Sequence, residues 1–259
     1  RMRRWLVLFV AIFAFGSGAW AADAPIGVVL LHGKWGAPSG QIAGVAAYLK
    51  REGFLVETPE MPWSGRREYD AGMDTAMAEV DAAVQALRNA GAKKIAVAGH
   101  SMGANAALHY AGRNKVDGVI SLALGHFPEG AKIKAFTEAS LARARDMRAA
   151  GNGKDSERFE DFNSGNRTKT VKCPANSYLS YFDPDGPMNT GNNARAVKPD
   201  TPVLWIVGSS EDPAPRRAGD RAHAALPANA ANKFIVVPAD HLNTPDAAKT
   251  EIAQWLKSL

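Results

Sequence analysis

Gly99-His100-Ser101-Met102-Gly103 sets a serine between two glycines, directly after the apolar run 95–98 and before a stretch patterned as a helix. A strand that turns sharply into a helix lifts its turn residue above the sheet, and the glycines allow the close backbone approach such a turn requires. A neutral serine hydroxyl attacks weakly and needs a base within hydrogen-bond reach. Other chemistries find less support in the chain. No HExxH pattern or close cluster of histidine and acidic residues points to a metal. Cys173 is the single cysteine, which excludes an intramolecular disulfide and any multi-cysteine metal site, and it reads as a packed thiol. No G-x-G-x-x-G follows the first apolar run, and Gly151-Asn152-Gly153-Lys154-Asp155-Ser156 lacks the spacing of a phosphate-binding loop. No cofactor is therefore expected.

The elements that must hold Ser101 are legible as alternating patterns. Apolar runs of the kind buried on both faces of a parallel sheet occur at 26–31, 54–56, 95–98, 116–122, 203–207 and 234–237. Between them Met73, Met77, Val80, Val84 and Leu87 share one helical face that stops at Gly91. Near the end of the sequence Thr244 is expected to cap a helix opened by Pro245 and striped by Ile252, Trp255, Leu256 and Leu259. This alternation predicts an α/β chain with a doubly wound, mainly parallel sheet and helices on both faces. It breaks at about 126–199, where a helical stretch precedes a long polar segment, read as an insertion over one end of the sheet and most simply as a lid. The segment Met61 to Asp70 follows the second strand and is expected at the ligand-binding end of the sheet. Trp63 and Tyr69 there are candidates to line a pocket, and Arg66 or Arg67 to meet an anionic group.

The 259 residues are 46% hydrophobic and 22% charged, which suits one globular domain and excludes a polytopic membrane protein or a polar disordered tail. Arg1, Arg3 and Arg4 precede an apolar run, 5–15, and a small-residue stretch closing on Ala19-Trp20-Ala21. Residues 1–21 thus match a secretory signal, too short in their apolar part to span a bilayer, and the remainder, 22–259, is expected as a single exported domain, periplasmic or secreted. Removing three arginines and no acidic residue lowers the net charge from +5 to +2, so neither a nucleic-acid partner nor a stable membrane anchor is expected.

From about Ile26 to Leu259 the chain resembles the α/β-hydrolase superfamily: to GHSMG it adds Gly208-Ser209-Ser210-Glu211-Asp212-Pro213 after an apolar run, then Ala239-Asp240-His241-Leu242-Asn243-Thr244-Pro245. The resemblance implies Ser101 as nucleophile, His241 as base and Asp212 as the acid orienting it, with Glu211 the alternative acid and Asp240 part of the loop. It also implies an oxyanion hole of the Met102 amide and one from the loop His32 to Gly36, assigned to Lys34 with Trp35 the alternative. Trp35, Trp63 and His126 are candidates for substrate contact, His32 for anchoring the first loop, and His100, His109 and His223 for structural roles. A dehalogenase of this fold is expected to carry a carboxylate where Ser101 stands. The function implied is an exported serine hydrolase acting on a small or lipid-like carboxylic ester through an acyl-enzyme. An amidase, peptidase or thioesterase with the same residues, or a non-catalytic binding protein on the same fold, are the alternatives.

Overall fold

A computed structural model describes residues 25–259, and the expected signal, residues 1–21, lies outside the described residues. The chain runs through β1 (Ile26–Leu31), α1 (Ala43–Arg51), β2 (Leu55–Glu57), α2 (Met73–Asn89), β3 (Lys94–His100), α3 (Met102–Arg113) and β4 (Gly118–Leu122). An insertion follows: α4 (Ala131–Ala149), β5 (Ser156–Asn163), β6 (Arg167–Pro174), α5 (Ala175–Phe182) and α6 (Thr190–Ala196). The alternation then resumes with β7 (Val203–Gly208), α7 (Pro213–Ala224), β8 (Lys233–Val237), α8 (Thr244–Ala247) and α9 (Lys249–Leu256).

Six strands form one sheet in the order β2-β1-β3-β4-β7-β8, every neighbouring pair parallel. Because side chains alternate across a strand, each strand feeds two cores. Val28, Leu30, Ala98 and Ile206 pack toward Leu49 of α1 and Ile252 and Trp255 of α9. Val29, Leu31, Val97 and Trp205 pack toward Val80 and Val84 of α2 and Leu108 of α3. The sheet is thus doubly wound, with apolar runs instead of alternation because both faces are covered. The chain leaves β1 toward β2 on one side and returns to β3 on the other. In open parallel sheets such a reversal opens a crevice at the carboxyl ends of the two strands, where ligands bind.

Two expectations about elements need correcting. The C-terminal helix is two helices, α8 and α9, broken at Ala248, and the N-cap position is Asn243. Thr244 lies inside the first, its hydroxyl donating to Asp240 O at 2.7 Å. The polar part of the insertion contains an antiparallel hairpin, β5 with β6, paired in register from Ser156–Pro174 to Asn163–Arg167. Phe159, Tyr178 and Phe182 stack in series at 4.5 and 4.4 Å, fastening the hairpin to α5.

Candidate active site

Ser101 stands between β3 and α3 with φ 55° and ψ −118°, a conformation costly for a residue with a Cβ and characteristic of strained functional turns. The neighbouring glycines explain how the turn closes: a Cβ on Gly99 would lie 2.1 Å from the Gly103 carbonyl, and one on Gly103 would lie 2.5 Å from Leu31 O. Across the site, a Cβ on Gly125 would lie 2.4 Å from Ser101 Oγ, so this glycine leaves the hydroxyl its room. The Ser101 amide donates to Leu122 O at 2.9 Å, tying the turn to the end of β4.

His241, on the loop after β8, brings Nε2 to 2.9 Å from Ser101 Oγ. Its own carbonyl accepts from His100 Nε2 at 2.8 Å, so the residue before the serine also holds the loop bearing the second histidine. Burial, reinforced by the nearby His241, pushes His100 down to about 3, keeping it neutral. The other nitrogen of His241, Nδ1, faces Glu211 Oε2 at 3.5 Å, and the Glu211 side chain is almost fully buried. Glu211 Oε1 accepts from the Gly208 amide at 3.0 Å, which fixes the carboxylate from behind. This corrects the expectation for Asp212. That residue occupies the N-cap position of α7 ahead of Pro213, and its exposed side chain lines the cavity with no ion pair to His241 among the described residues. Asp240 accepts from the amides of Leu242 (3.1 Å) and Asn243 (2.9 Å) and shapes its own loop.

The amides of Met102 and Lys34 have no protein acceptor among the described residues, whereas the Trp35 amide donates to Trp63 O at 2.9 Å. The free Met102 amide follows from its place in the first turn of α3, where helical donors lack intrahelical partners. Trp35 is therefore not available as the alternative oxyanion donor. The loop carrying Lys34 is anchored by His32, whose Nδ1 donates to Gly33 O at 2.9 Å while Nε2 accepts from the Met61 amide at 3.0 Å.

A residue the sequence did not single out organises this side of the site. Asp161, on β5 and fully buried, accepts from Lys34 Nζ at 2.8 Å, from Trp35 Nε1 at 2.7 Å and from the Tyr69 hydroxyl. Lys34 Nζ also donates to Phe162 O at 2.8 Å. Burial lowers the Lys34 pKa and the adjacent Asp161 works against that shift, as expected for a desolvated ion pair. One carboxylate thus joins the insertion to the loops after β1 and β2. The available signal was alternation: Phe159 and Asp161 on β5, and Val171 and Cys173 on β6, are buried between solvent-facing polar residues. Burial pushes the Cys173 thiol up to about 12, so it is an unreactive packing group.

The cavity beside Ser101 and His241 has a volume of about 650 Å³. Phe127, Ile133, Ala131, Phe162 and Ala218 supply apolar wall, with the hairpin turn on one side and the start of α7 on another. His126 lies in this wall at φ 62°, its Nε2 donating to Tyr181 O at 2.7 Å and its Nδ1 without a partner among the described residues. Burial and the nearby Lys34 hold His126 well below the ordinary histidine range. Trp63 is not part of the wall: it is fully buried behind the loop after β1, its Nε1 donating to His32 O at 2.8 Å. Trp35 likewise points to Asp161 and not into the cavity. Arg66 and Arg67 are committed elsewhere, Arg66 to Glu60 and Arg67 to Asp70 and Glu79. His109 donates to Pro187 O at 2.8 Å, while His223 packs between Trp205 and Phe234.

A parallel sheet with a strained serine turn at its reversal point, followed in the chain by an acidic turn and a histidine loop, defines a hydrolase-type fold. The alpha/beta hydrolase family profile matches residues 28–255, and the chain belongs to that family. Among solved structures, one from work on LipS and LipT, two metagenome-derived lipolytic enzymes, is 20% identical, covers 91% of this chain and 95% of its own, and superposes with a TM-score of 0.65. DcsB in complex with its substrate analogue gives a TM-score of 0.69 at 14% identity over 91% and 92% of the two chains. The Paleococcus ferrophilus monoacylglycerol lipase gives 0.63 at 20% identity over 90% and 94%. No curated protein sequence matches the chain.

Proposed function

We propose that the chain is a serine hydrolase that cleaves carboxylic esters through an acyl-enzyme. The observation that carries this reading is the 2.9 Å approach of His241 Nε2 to the hydroxyl of a serine held in a strained turn. In the first step Ser101 Oγ attacks the ester carbonyl carbon as His241 Nε2 takes its proton. The carbonyl oxygen becomes an oxyanion, received by the amides of Met102 and Lys34, and Glu211 steadies the imidazolium at Nδ1. When the carbon–oxygen bond to the alcohol breaks, His241 returns the proton to the departing oxygen. Water then enters and its oxygen attacks the acyl carbon as His241 takes its proton; the carbon–oxygen bond to Ser101 breaks as His241 returns the proton to Oγ, and the acid leaves. Asp161 positions the Lys34 end of the oxyanion loop from the insertion.

The ester reading, as against an amide or thioester, is supported by the lipolytic and esterase relatives of similar fold and by an apolar cavity wall suited to an acyl chain. Hydrolysis of p-nitrophenyl esters of increasing acyl length tests it, with Ser101→Ala and His241→Ala as controls. Serine-dependent turnover is expected, and equal rates for wild type and Ser101→Ala on every ester would overturn it. Export is part of the proposal on the strength of the 1–21 pattern alone, and N-terminal sequencing of the protein recovered outside the cytoplasm tests cleavage after Ala21.

A further inference from the structure

Resting on the serine-hydrolase reading, we propose that the substrate is an ester carrying a second, anionic group, a carboxylate, recognised by Arg217 and Arg221 of α7. Four cationic side chains border the catalytic cavity: Lys34, Lys132, Arg217 and Arg221. They are not equivalent. Lys34 is neutralised by buried Asp161, and Lys132 bonds the side-chain oxygen of Asn166 while lying over the Phe162 ring. Arg217 and Arg221 have neither an ion pair nor a hydrogen bond among the described residues, and the acid on their own helix, Asp220, is paired with Arg216. Among the described residues the single carboxylate in the cavity wall is Asp212, at the N-cap position of the same helix.

Spaced four residues apart, the two guanidinium groups share a helix face, where like charges repel unless an anion lies between or before them. Guanidinium forks bind carboxylates with two parallel hydrogen bonds, a geometry a lysine cannot supply. The cavity wall therefore combines two chemistries: apolar side chains, among them Phe127, Ile133 and Phe162, and the two arginines of α7. An acyl chain ending in a carboxylate fits that combination, with the ester carbon at Ser101 and the distal charge at the arginines.

The test compares mono-p-nitrophenyl suberate with p-nitrophenyl octanoate, which match in acyl length and leaving group and differ in the terminal carboxylate. A second pair moves the charge to the alcohol half: 4-carboxyphenyl octanoate against its methyl ester. The readout is the ratio of kcat/KM, anionic over neutral, in wild type and in Arg217→Gln/Arg221→Gln, each corrected by Ser101→Ala and checked for fold by a thermal melt. A ratio that falls about tenfold or more in the double variant, and that shrinks in wild type as salt rises, supports the proposal. The pair showing the fall identifies the half that carries the charge. A ratio unchanged by the substitutions in both pairs, with serine-dependent turnover intact, overturns the anionic substrate and leaves the hydrolase reading standing. Absence of serine-dependent turnover on all four esters overturns both.

Discussion

At the residue scale the site turns on which acid supports His241. Glu211 and Asp212 are adjacent in a turn, and a turn that shifts by one residue exchanges their directions. The sequence order of serine, acid and histidine was therefore legible, while the identity of the acid was not. The extra methylene of glutamate lets its carboxylate reach back under β7 to the Gly208 amide and forward to His241 Nδ1. Asp212, followed by Pro213, is committed to starting α7. Under the proposed mechanism Glu211→Gln is expected to lower kcat by about 10²- to 10⁴-fold with little change in KM, because the imidazolium loses its partner mainly in the transition state. Asp212→Asn is expected to change kcat on a neutral ester by less than about threefold. Steady-state kinetics of the two variants separate the assignments, and the reverse ranking would restore Asp212. Trp63 shows the other limit of sequence reading: its position after β2 was right, but the hydrogen bond to His32 O turns the ring into the core.

At the element scale the strands and the helices between them were readable because both faces of the sheet are buried, which makes apolar runs continuous. The hairpin β5–β6 escaped because its outer face is polar and only alternate residues are buried, a weak signal next to charged neighbours. Its attachment through Asp161 ties the insertion to the loops after β1 and β2. Asp161→Asn keeps the shape and removes the charge that balances buried Lys34, so it is expected to destabilise the fold by about 3–5 kcal/mol in urea unfolding. Asp161→Asn/Lys34→Met, which removes both charges, is expected to recover much of that stability. Equal loss in the single and double variants would show that the ion pair is not the link.

At the scale of the whole molecule, the strand order explains why residues from distant parts of the chain meet: the connections leaving the paired strands β1 and β3 run to opposite sides of the sheet, and the loops after β1, β3, β7 and β8 all lie at its carboxyl edge. The sequence indicated a parallel sheet, but the order of its strands is a tertiary outcome of which apolar faces cover one another. The same burial governs acid stability. His32, His100, His109 and His126 all have pKa values lowered chiefly by burial, His100 to about 3. Unfolded histidines take up protons near pH 6.5 that the folded chain does not bind, so the unfolded state gains and stability falls as pH drops below that value. For His100 the loss continues toward pH 3, at up to about 1.4 kcal/mol per pH unit for each such histidine. Thermal melts from pH 7 to 5, above most carboxylate titration, are expected to show a falling Tm, with a shallower fall in His100→Asn. A Tm independent of pH across that interval would contradict the buried neutral histidines.

Whether Ser101 is a nucleophile activated by His241 is read out by covalent labelling with a fluorophosphonate probe, followed by peptide mass spectrometry. One adduct is expected, on Ser101, formed rapidly in the wild type, slowed by at least about 10²-fold in His241→Ala and absent in Ser101→Ala. Labelling at another residue, or a wild-type protein that stays unmodified while folded, would contradict it.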